Sequence, residues 1–285
     1  MYTFPIELFS SANKLDSLRS KISNERLPFH TASVAGRGHV ALNTFNQNLI
    51  VSTPELIAQE TAMPIDLGLC CNSIAEKENY WRFKCLSTIK KSDSTSELKI
   101  VDVTGSEITF TKKFQGARFI ADKDSSMPSA YIEVLSDKNT LRMHDPESGN
   151  YDDYDNKSLK LKSRYSSNGQ SLNFTYDLAG RLQSITSSPF NHEYVYTYNN
   201  GKIELDFIDG ETKVKTKLAA YFFDLNYNFL KAVRLFEHNE NHIQRYLGTQ
   251  YGYEQDRYLK SITSIDATMY YMTSELSSEI EDIRC

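Results

Sequence analysis

The sequence has no long apolar run, few cysteines and no strongly basic segment, and each shortage excludes a class of protein. No stretch approaches the ~20 apolar residues of a transmembrane helix, so we predict no membrane span. Four cysteines among 285 residues are too few for a disulfide scaffold. The net charge is −5 and the basic residues are dispersed, so we do not expect nucleic acid as a partner.

The N-terminus also lacks the features of a secretory signal peptide. Its first residues, MYTFPIELFSSANKL, show no basic start followed by an apolar segment. We therefore expect the chain to be cytoplasmic as synthesised. If it is secreted, we expect a dedicated route that needs no signal peptide.

Tyrosine and phenylalanine are abundant instead, with 18 Tyr and 15 Phe against a single Trp. Many of them alternate with polar residues, which is the period of a strand with one buried face. Aromatic and β-branched residues also favour strands over helices. Short alternating segments separated by turn residues predict a mostly β fold, an antiparallel β-hairpin array over residues 31–273. The predicted strands include residues 97–103, 107–114, 118–121 and 130–136.

The clearest unit of this array is the stretch 168–185, which reads NGQSLNFTYDLAGRLQSI. Asn168-Gly169 predicts a type I′ hairpin turn, because both residues tolerate a positive φ. The strand that follows has one apolar face at a period of two. That face is formed by Leu172, Phe174 and Tyr176.

A second turn and a second strand complete the unit. Asp177 and Gly180 bracket a four-residue turn. Simple alternation then places Leu182 and Ser184 on one face of the next strand and Ile185 on the other.

This unit resembles the YD repeat of the RHS/YD-repeat family. The family pattern is Tyr-Asp, two variable residues, Gly-Arg-Leu, two variable residues and Ile, and all six positions match with the spacing intact. The matching residues are Tyr176, Asp177, Gly180, Arg181, Leu182 and Ile185. The resemblance implies a structural role for these six residues in a spiralling β-ribbon that forms a hollow shell. Such shells occur in bacterial polymorphic toxins, in the C component of insecticidal toxin complexes and in animal teneurins.

Weaker copies of the motif follow it at spacings of roughly 22 to 30 residues, which is typical of a repeat array whose units stack on their neighbours. One begins at Tyr198, one at Phe223 with Leu230 and Val233, and one at Tyr253 with Leu259 and Ile262. Residues 31–92 resemble more loosely the start of such a shell. On this resemblance the chain is an N-terminal-type fragment of a shell or a short member of the family.

Both ends of the chain predict short helices. Residues 1–30 form a helical prelude with an apolar stripe, and residues 274–285 form a terminal helix that caps the last strand edge. The stripes consist of Leu15, Leu18 and Ile22 in the first helix and Leu276, Ile280 and Ile283 in the second.

No catalytic or metal-binding constellation stands out, so we predict no enzyme, no cofactor and no metal. His238 and His242 have the i, i+4 spacing of a helical zinc site, but Asn239 and Asn241 between them favour a turn. The acidic run 151–155 lacks the glycine and the distal glutamate of a calcium loop, and we interpret it as a solvated turn.

The favoured function follows from the resemblance. It implies a non-enzymatic structural or encapsulating part of an RHS-type toxin or secretion-associated assembly, with a toxin cargo or another toxin-complex component as protein partner. The alternative is a carbohydrate or cell-surface binding module with a tyrosine-rich β-face. A third hypothesis, a hydrolase that uses His238 and His242, has only their spacing in its favour.

Overall fold

A computed structural model describes nine segments of the chain, and every regular element in them is a β-strand of an antiparallel sheet. This confirms the predicted mostly β hairpin array. Within these segments no helix is long and apolar enough to cross a bilayer. The helix predicted for residues 274–285 lies outside the described residues, and so does the helical prelude predicted for residues 1–30 except for Phe29 and His30, which begin a strand. The described segments are 29–33, 38–43, 48–58, 64–72, 81–92, 96–112, 118–238, 243–254 and 258–270.

The first sheet has five strands in the order β1-β2-β3-β6-β7, with a two-stranded ladder of β4 and β5 beside it. The five strands of the sheet are β1 (Phe29–Ser33), β2 (His39–Asn43), β3 (Asn48–Ser52), β6 (Leu69–Asn72) and β7 (Trp81–Phe83), and the two of the ladder are β4 (Ile57–Ala58) and β5 (Ile65–Asp66). Ala41, Ile50 and Cys70 form a small buried cluster together with Val103. This cluster removes the apolar face of the sheet from water, which is the main driving force for its formation.

The second sheet has 16 strands, and their order in the sheet follows their order in the chain. Each strand therefore pairs with its sequence neighbours, as in a continuous series of hairpins. Four strands match the predicted ones at 97–103, 107–114, 118–121 and 130–136, with ends up to two residues shorter. The strands are β8 (Thr88–Lys91), β9 (Glu97–Val101), β10 (Glu107–Lys112), β11 (Arg118–Ala121), β12 (Tyr131–Val134), β13 (Thr140–Asp145), β14 (Asn150–Asp155), β15 (Leu161–Tyr165), β16 (Ser171–Tyr176), β17 (Leu182–Ser188), β18 (Glu193–Asn199), β19 (Lys202–Ile208), β20 (Lys215–Phe223), β21 (Leu230–His238), β22 (Ile243–Glu254) and β23 (Tyr258–Tyr270).

The chain divides into two compact units. The first comprises Met1–Val195 with Ile208–Val214, and the second comprises Tyr196–Phe207 with Lys215–Cys285. In the first unit the inward face of the large sheet is filled by fully buried side chains, among them Phe110, Ile132, Leu141, Tyr154, Leu161, Leu172 and Ile185. In the second unit the buried residues include Leu205, Ala219, Tyr221, Leu230 and Val233.

Within the first unit, strand β8 returns to the turn between β14 and β15. Thr88 and Lys160 form an isolated antiparallel bridge, and the Ile89 amide donates to the Leu159 carbonyl at 3.2 Å. The Lys91 ammonium donates to the Asn156 carbonyl at 3.1 Å. The strands from β8 to β15 therefore curl back on themselves, joined at one point and not closed by a continuous ladder.

The interpretation of residues 151–155 as a solvated turn is wrong, because they lie in strand β14. Asp152 and Asp153 are both buried there. Each carboxylate faces an arginine on a neighbouring strand, Arg164 for Asp152 and Arg142 for Asp153. Pairing of these charges across strands makes an acidic strand compatible with burial.

The type I′ turn predicted at Asn168-Gly169 is also wrong. Gly169 has a φ of +85°, but Asn168 is not in the positive-φ region. The Gly169 amide bonds to the Ser166 carbonyl at 3.1 Å, and the Ser166 amide bonds to the Gln170 carbonyl at 3.0 Å. The loop is thus longer than the two residues that a type I′ hairpin requires.

A candidate functional site in the repeated bulged hairpin

The turn of the matched motif is held by the carboxylate of Asp177. Its Oδ1 accepts the Arg181 backbone amide at 2.8 Å, and its Oδ2 accepts Nε of the same arginine at 2.8 Å. The Gly180 amide donates to the Asp177 carbonyl at 2.8 Å. Gly180 has a φ of +79°, a backbone conformation that costs glycine less than any other residue. Three motif residues, Asp177, Gly180 and Arg181, therefore build one turn.

These contacts also change the acidity of the turn. Partial desolvation raises the pKa of Asp177, but the hydrogen bonds from Arg181 and the charge of its guanidinium outweigh it. The net effect is a pKa below the ordinary value of an aspartate. The carboxylate is therefore a charged structural element of the turn at neutral pH, not a proton donor.

A β-bulge follows directly where strands β16 and β17 pair. Tyr176 is opposite Leu182, whereas the preceding residue, Thr175, is opposite Ser184. Gln183 is the extra residue, and it has no opposite in the ladder. A bulge of this kind inserts one residue into one strand and resets the alternation of its side chains.

The bulge corrects the predicted faces of strand β17. Leu182 is 2% exposed and Ile185 is 0% exposed, so both point inward. Phe174 is opposite Ile185 on that inward face. The prediction that Ile185 lies opposite the Leu182 face is wrong, because simple alternation does not count the bulged residue. The three-residue step from the motif leucine to the motif isoleucine is the signature of this bulge.

The same register shift recurs in three other hairpins of the sheet. In each, an aromatic residue pairs with a leucine across a one-residue bulge, and the third residue after the leucine returns to the inward register. The aromatic–leucine pairs are Tyr154 with Leu161, Phe223 with Leu230, and Tyr253 with Leu259. The residues three positions after those leucines are Arg164, Val233 and Ile262.

Two of these hairpins coincide with the weaker copies predicted at Phe223 and Tyr253. The hairpin at Tyr154 was missed, because its Tyr-Asp pair stands at the end of the acidic run. The signal was present, since Tyr154-Asp155 precedes Tyr176-Asp177 by 22 residues. At the copy predicted from Tyr198, the structure has a tight turn with Asn200 at φ +42° and Gly201 at φ +78°.

The motif tyrosine joins its hairpin to an earlier one. The hydroxyl of Tyr176 donates to the carbonyl of Leu161 at 2.7 Å, and that of Tyr253 donates to the carbonyl of Leu230 at 2.9 Å. In both cases the acceptor is the leucine of another bulged hairpin. The Tyr154 hydroxyl lies 2.8 Å from Oγ of Ser87.

A lysine makes the reciprocal contact between the first two hairpins. Nζ of Lys160 donates to the carbonyl of Gly180 at 2.6 Å and lies 5.1 Å from the centroid of the Tyr176 ring. Lys160 precedes Leu161 as Arg181 precedes Leu182. The basic residue before the motif leucine therefore binds either its own turn or the turn of the next hairpin.

One hairpin carries a buried ion pair at the positions where the matched motif is apolar. Nε and Nη2 of Arg164 donate to Oδ1 and Oδ2 of Asp152 at 2.9 and 3.0 Å. In register, Asp152 and Arg164 take the places that Phe174 and Ile185 have in the next hairpin. The carboxylate raises the pKa of Arg164, so the pair is charged at any ordinary pH.

Turn carboxylates across the sheet are occupied by backbone amides, as in the matched motif. This Asx-type contact stabilises the turn. The described part of the chain contains no group of three or more His, Cys, Asp or Glu residues that could hold a metal. The aspartates that cap turns in this way include Asp102, Asp137, Asp145, Asp155, Asp209 and Asp224.

The described cysteines Cys70, Cys71 and Cys85 are buried, and none of them forms a disulfide bond within the described residues. Burial raises the pKa of Cys70 to about 11, so its thiol is protonated at neutral pH. His238 ends strand β21, and the rest of the predicted histidine cluster, up to His242, lies outside the described residues.

Comparison with known proteins does not place this chain in a family. No family model matches it. No curated protein matches it either. The likeness to YD repeats therefore depends on the six motif positions in the sequence alone.

Proposed function

We propose that the chain is a non-enzymatic structural protein of the RHS/YD-repeat kind, whose β-ribbon encloses, or helps to enclose, a polypeptide partner. One observation carries this proposal: four hairpins share the same bulge between an aromatic residue and a leucine. A contact pattern that recurs from hairpin to hairpin is how repeat proteins extend a surface without a single central core.

We call the enclosing β-ribbon the wall. Each of the six motif residues has a defined role in it. Asp177, Gly180 and Arg181 form the turn, whereas Leu182 and Ile185 fill the inward face. Tyr176 connects the hairpin to the one before it through its hydroxyl. Every one of these roles is structural, which supports a wall and not a catalytic centre.

The cargo is not held inside the first unit, because its own side chains fill the inward face there. In the second unit, strands β22 and β23 have 12 and 13 residues, and β23 has a neighbour on one side only among the described strands. A long edge strand presents a row of backbone donors and acceptors that can pair with another polypeptide. We expect the protein partner, a toxin cargo or another component of the assembly, to pair with this edge in place of the terminal helix predicted for residues 274–285.

Co-expression with the product of the neighbouring open reading frame tests the proposal. Light scattering should show a complex heavier than either protein, and the neighbour should resist protease in the complex. The neighbour expressed alone is the control for its intrinsic resistance. The proposal would be contradicted if the chain stayed monomeric and the neighbouring gene product were digested as fast as when it is expressed alone.

The second candidate function is a carbohydrate or cell-surface binding module that uses a tyrosine-rich β-face. In the described part of the chain five tyrosines are buried, so their ring faces are not available to a ligand. These are Tyr154, Tyr194, Tyr196, Tyr221 and Tyr251. One half-buried tyrosine, Tyr165, nevertheless favours this candidate, because only one face of its ring is covered by another ring.

A further inference from the structure

The outward face of strands β12 to β15 carries a row of stacked aromatic rings. Tyr131 stacks on His144 with ring centroids 4.5 Å apart, and Tyr151 stacks on Tyr165 at 4.4 Å. His144 and Tyr151 join the two pairs at 5.9 Å. Each stacked pair therefore covers one face of each of its rings, and Tyr131 and Tyr165 stand at the two ends of the row.

The two ends of the row differ. At the first end the guanidinium of Arg118 lies 4.5 Å from the Tyr131 ring centroid and covers its remaining face. At the other end Tyr165 is opposite Ser171 on strand β16, a side chain too small to cover a ring. Arg142 lies 5.9 Å from the Tyr165 centroid, but its closer contact is Tyr151 at 4.2 Å.

Beyond Tyr165, the outward face of strands β16 and β17 is made of small polar side chains. Asn173 pairs with Thr186, and Ser171 pairs with Ser188. Ser171 is buried, whereas Asn173 is exposed and Thr186 and Ser188 are half-buried. Two strands at ~4.8 Å spacing give a floor about 10 Å wide next to the ring. We call the surface formed by Tyr165, Asn173, Thr186, Ser188 and Glu193 the trough.

The trough presents hydrogen-bonding groups that the protein itself does not use. Asn173 Oδ1 accepts the Ser163 hydroxyl at 2.9 Å, which leaves the amide nitrogen of Asn173 for a ligand. Glu193 is opposite Thr186 in the register of β17 and β18. In the described part of the chain, neither the Thr186 hydroxyl nor the Glu193 carboxylate has a protein partner.

We propose that the trough binds a neutral saccharide, with one sugar ring stacked on the open face of Tyr165. The apolar C–H face of a pyranose suits an aromatic ring, and its hydroxyls need donors and acceptors together. Asn173 supplies a donor, Glu193 an acceptor and Thr186 both. The proposal rests on the second candidate function, the carbohydrate-binding module, and specifies its ligand. It does not depend on the proposed enclosing role of the chain.

The charges around the trough favour a neutral ligand over an anionic one. Arg142, whose guanidinium lies 5.9 Å from the Tyr165 ring centroid, is held by Asp153 through two hydrogen bonds of 2.7 and 2.8 Å. The charge that remains unpaired in the trough is the carboxylate of Glu193. A phosphate or a uronic acid would meet that negative charge without a compensating cation.

Titration calorimetry with maltohexaose, cellohexaose and the hexamer of N-acetylglucosamine tests the site. We expect saturable binding of at least one of them, about tenfold weaker in Tyr165→Ala. Tyr165→Phe keeps the ring face and should bind as the wild type does. Tyr131→Ala is the matched control, because it removes a ring of the same row whose two faces are already covered.

Two results would overturn the site: no saturable binding of any of the three sugars, or an equal loss in Tyr131→Ala and Tyr165→Ala. Because a variant can fail by unfolding, an NMR titration of the wild type provides a second measurement. The side-chain amide of Asn173 should shift on addition of the bound sugar, and an unshifted resonance contradicts the proposal. Tyr165→Ala should still protect the neighbouring gene product from protease. Loss of sugar binding and loss of protease protection therefore test the two proposals separately.

Discussion

The hairpins β14–β15 and β16–β17 have the same backbone plan and different cores. Both have a Tyr-Asp pair before the turn, a one-residue bulge after it and a leucine opposite the tyrosine. The next inward pair is Asp152 with Arg164 in the first hairpin and Phe174 with Ile185 in the second. The turns differ as well, since Leu159 has a φ of +61° in the first and Gly180 has +79° in the second.

The two hairpins share their backbone features and differ in the side chains of one inward pair. The bulge and the capped turn decide which residues point inward, and those features are shared. The two residues of the inward pair can be apolar or charged, provided that every buried polar group has a hydrogen-bond partner. A buried ion pair adds little net stability over a well-packed apolar pair, but the loss of one partner is costly.

The largest effect should come from breaking the ion pair. Arg164→Met leaves the carboxylate of Asp152 buried and unpaired, and we expect it to lower the free energy of unfolding by about 3 kcal/mol. Urea denaturation followed by circular dichroism measures the change.

Replacing both partners sharpens the same comparison. The double variant Asp152→Phe with Arg164→Ile copies the pair of the next hairpin and should be within about 1 kcal/mol of the wild type, or more stable. If the double variant were as unstable as Arg164→Met, the two hairpins would not be equivalent frameworks.

The two turns provide the next test. Gly180→Ala should cost about 1–2 kcal/mol, because alanine is strained at positive φ and its Cβ would meet Nζ of Lys160. Gly169→Ala is the control, since this glycine also has a positive φ but an alanine Cβ there would meet no atom within 4 Å. The denaturant midpoint should fall further in Gly180→Ala than in Gly169→Ala, because only the first variant meets Lys160. Equal losses of stability would mean that the contact with Lys160 contributes nothing.

The tyrosine contact between hairpins should have a smaller effect. Tyr176→Phe removes the hydrogen bond to the Leu161 carbonyl, and we expect a loss of about 1 kcal/mol in unfolding free energy. Tyr151→Phe is the control, because its hydroxyl has no hydrogen-bond partner among the described residues. Thermal unfolding of the two variants should distinguish them, and identical melting temperatures would contradict a role for the contact.

The smallest effect should be the pH dependence of the turn. The folded pKa of Asp177 is lowered, so its contribution to stability is present above the unfolded value of about 3.9 and is lost as the pH falls through the folded value. Asp177→Asn should therefore reduce the acid dependence of the unfolding free energy in this window. Superimposable stability–pH curves for variant and wild type would refute the assignment.

Local patterns in the sequence predicted most of the strands and the residues of the turn. Alternation found the inward face of β16, and the Asp-Gly spacing found the turn at Asp177. The bulge could not be derived from alternation, because the extra residue, Gln183, is identified only by the register of the partner strand. Strand β14 was predicted as a turn for a related reason. Asp152 is compatible with a buried strand only because Arg164 is opposite, and that pairing is known only from the register of β15.

The tyrosine contacts run in one direction along the chain. The hydroxyls of Tyr176 and Tyr253 bind carbonyls of Leu161 and Leu230, which precede them in sequence. On a ribosome, each acceptor is therefore made before its donor emerges, and domains generally fold from the N-terminal side first. A growing chain could thus attach each new hairpin to one already complete, without waiting for the residues that follow.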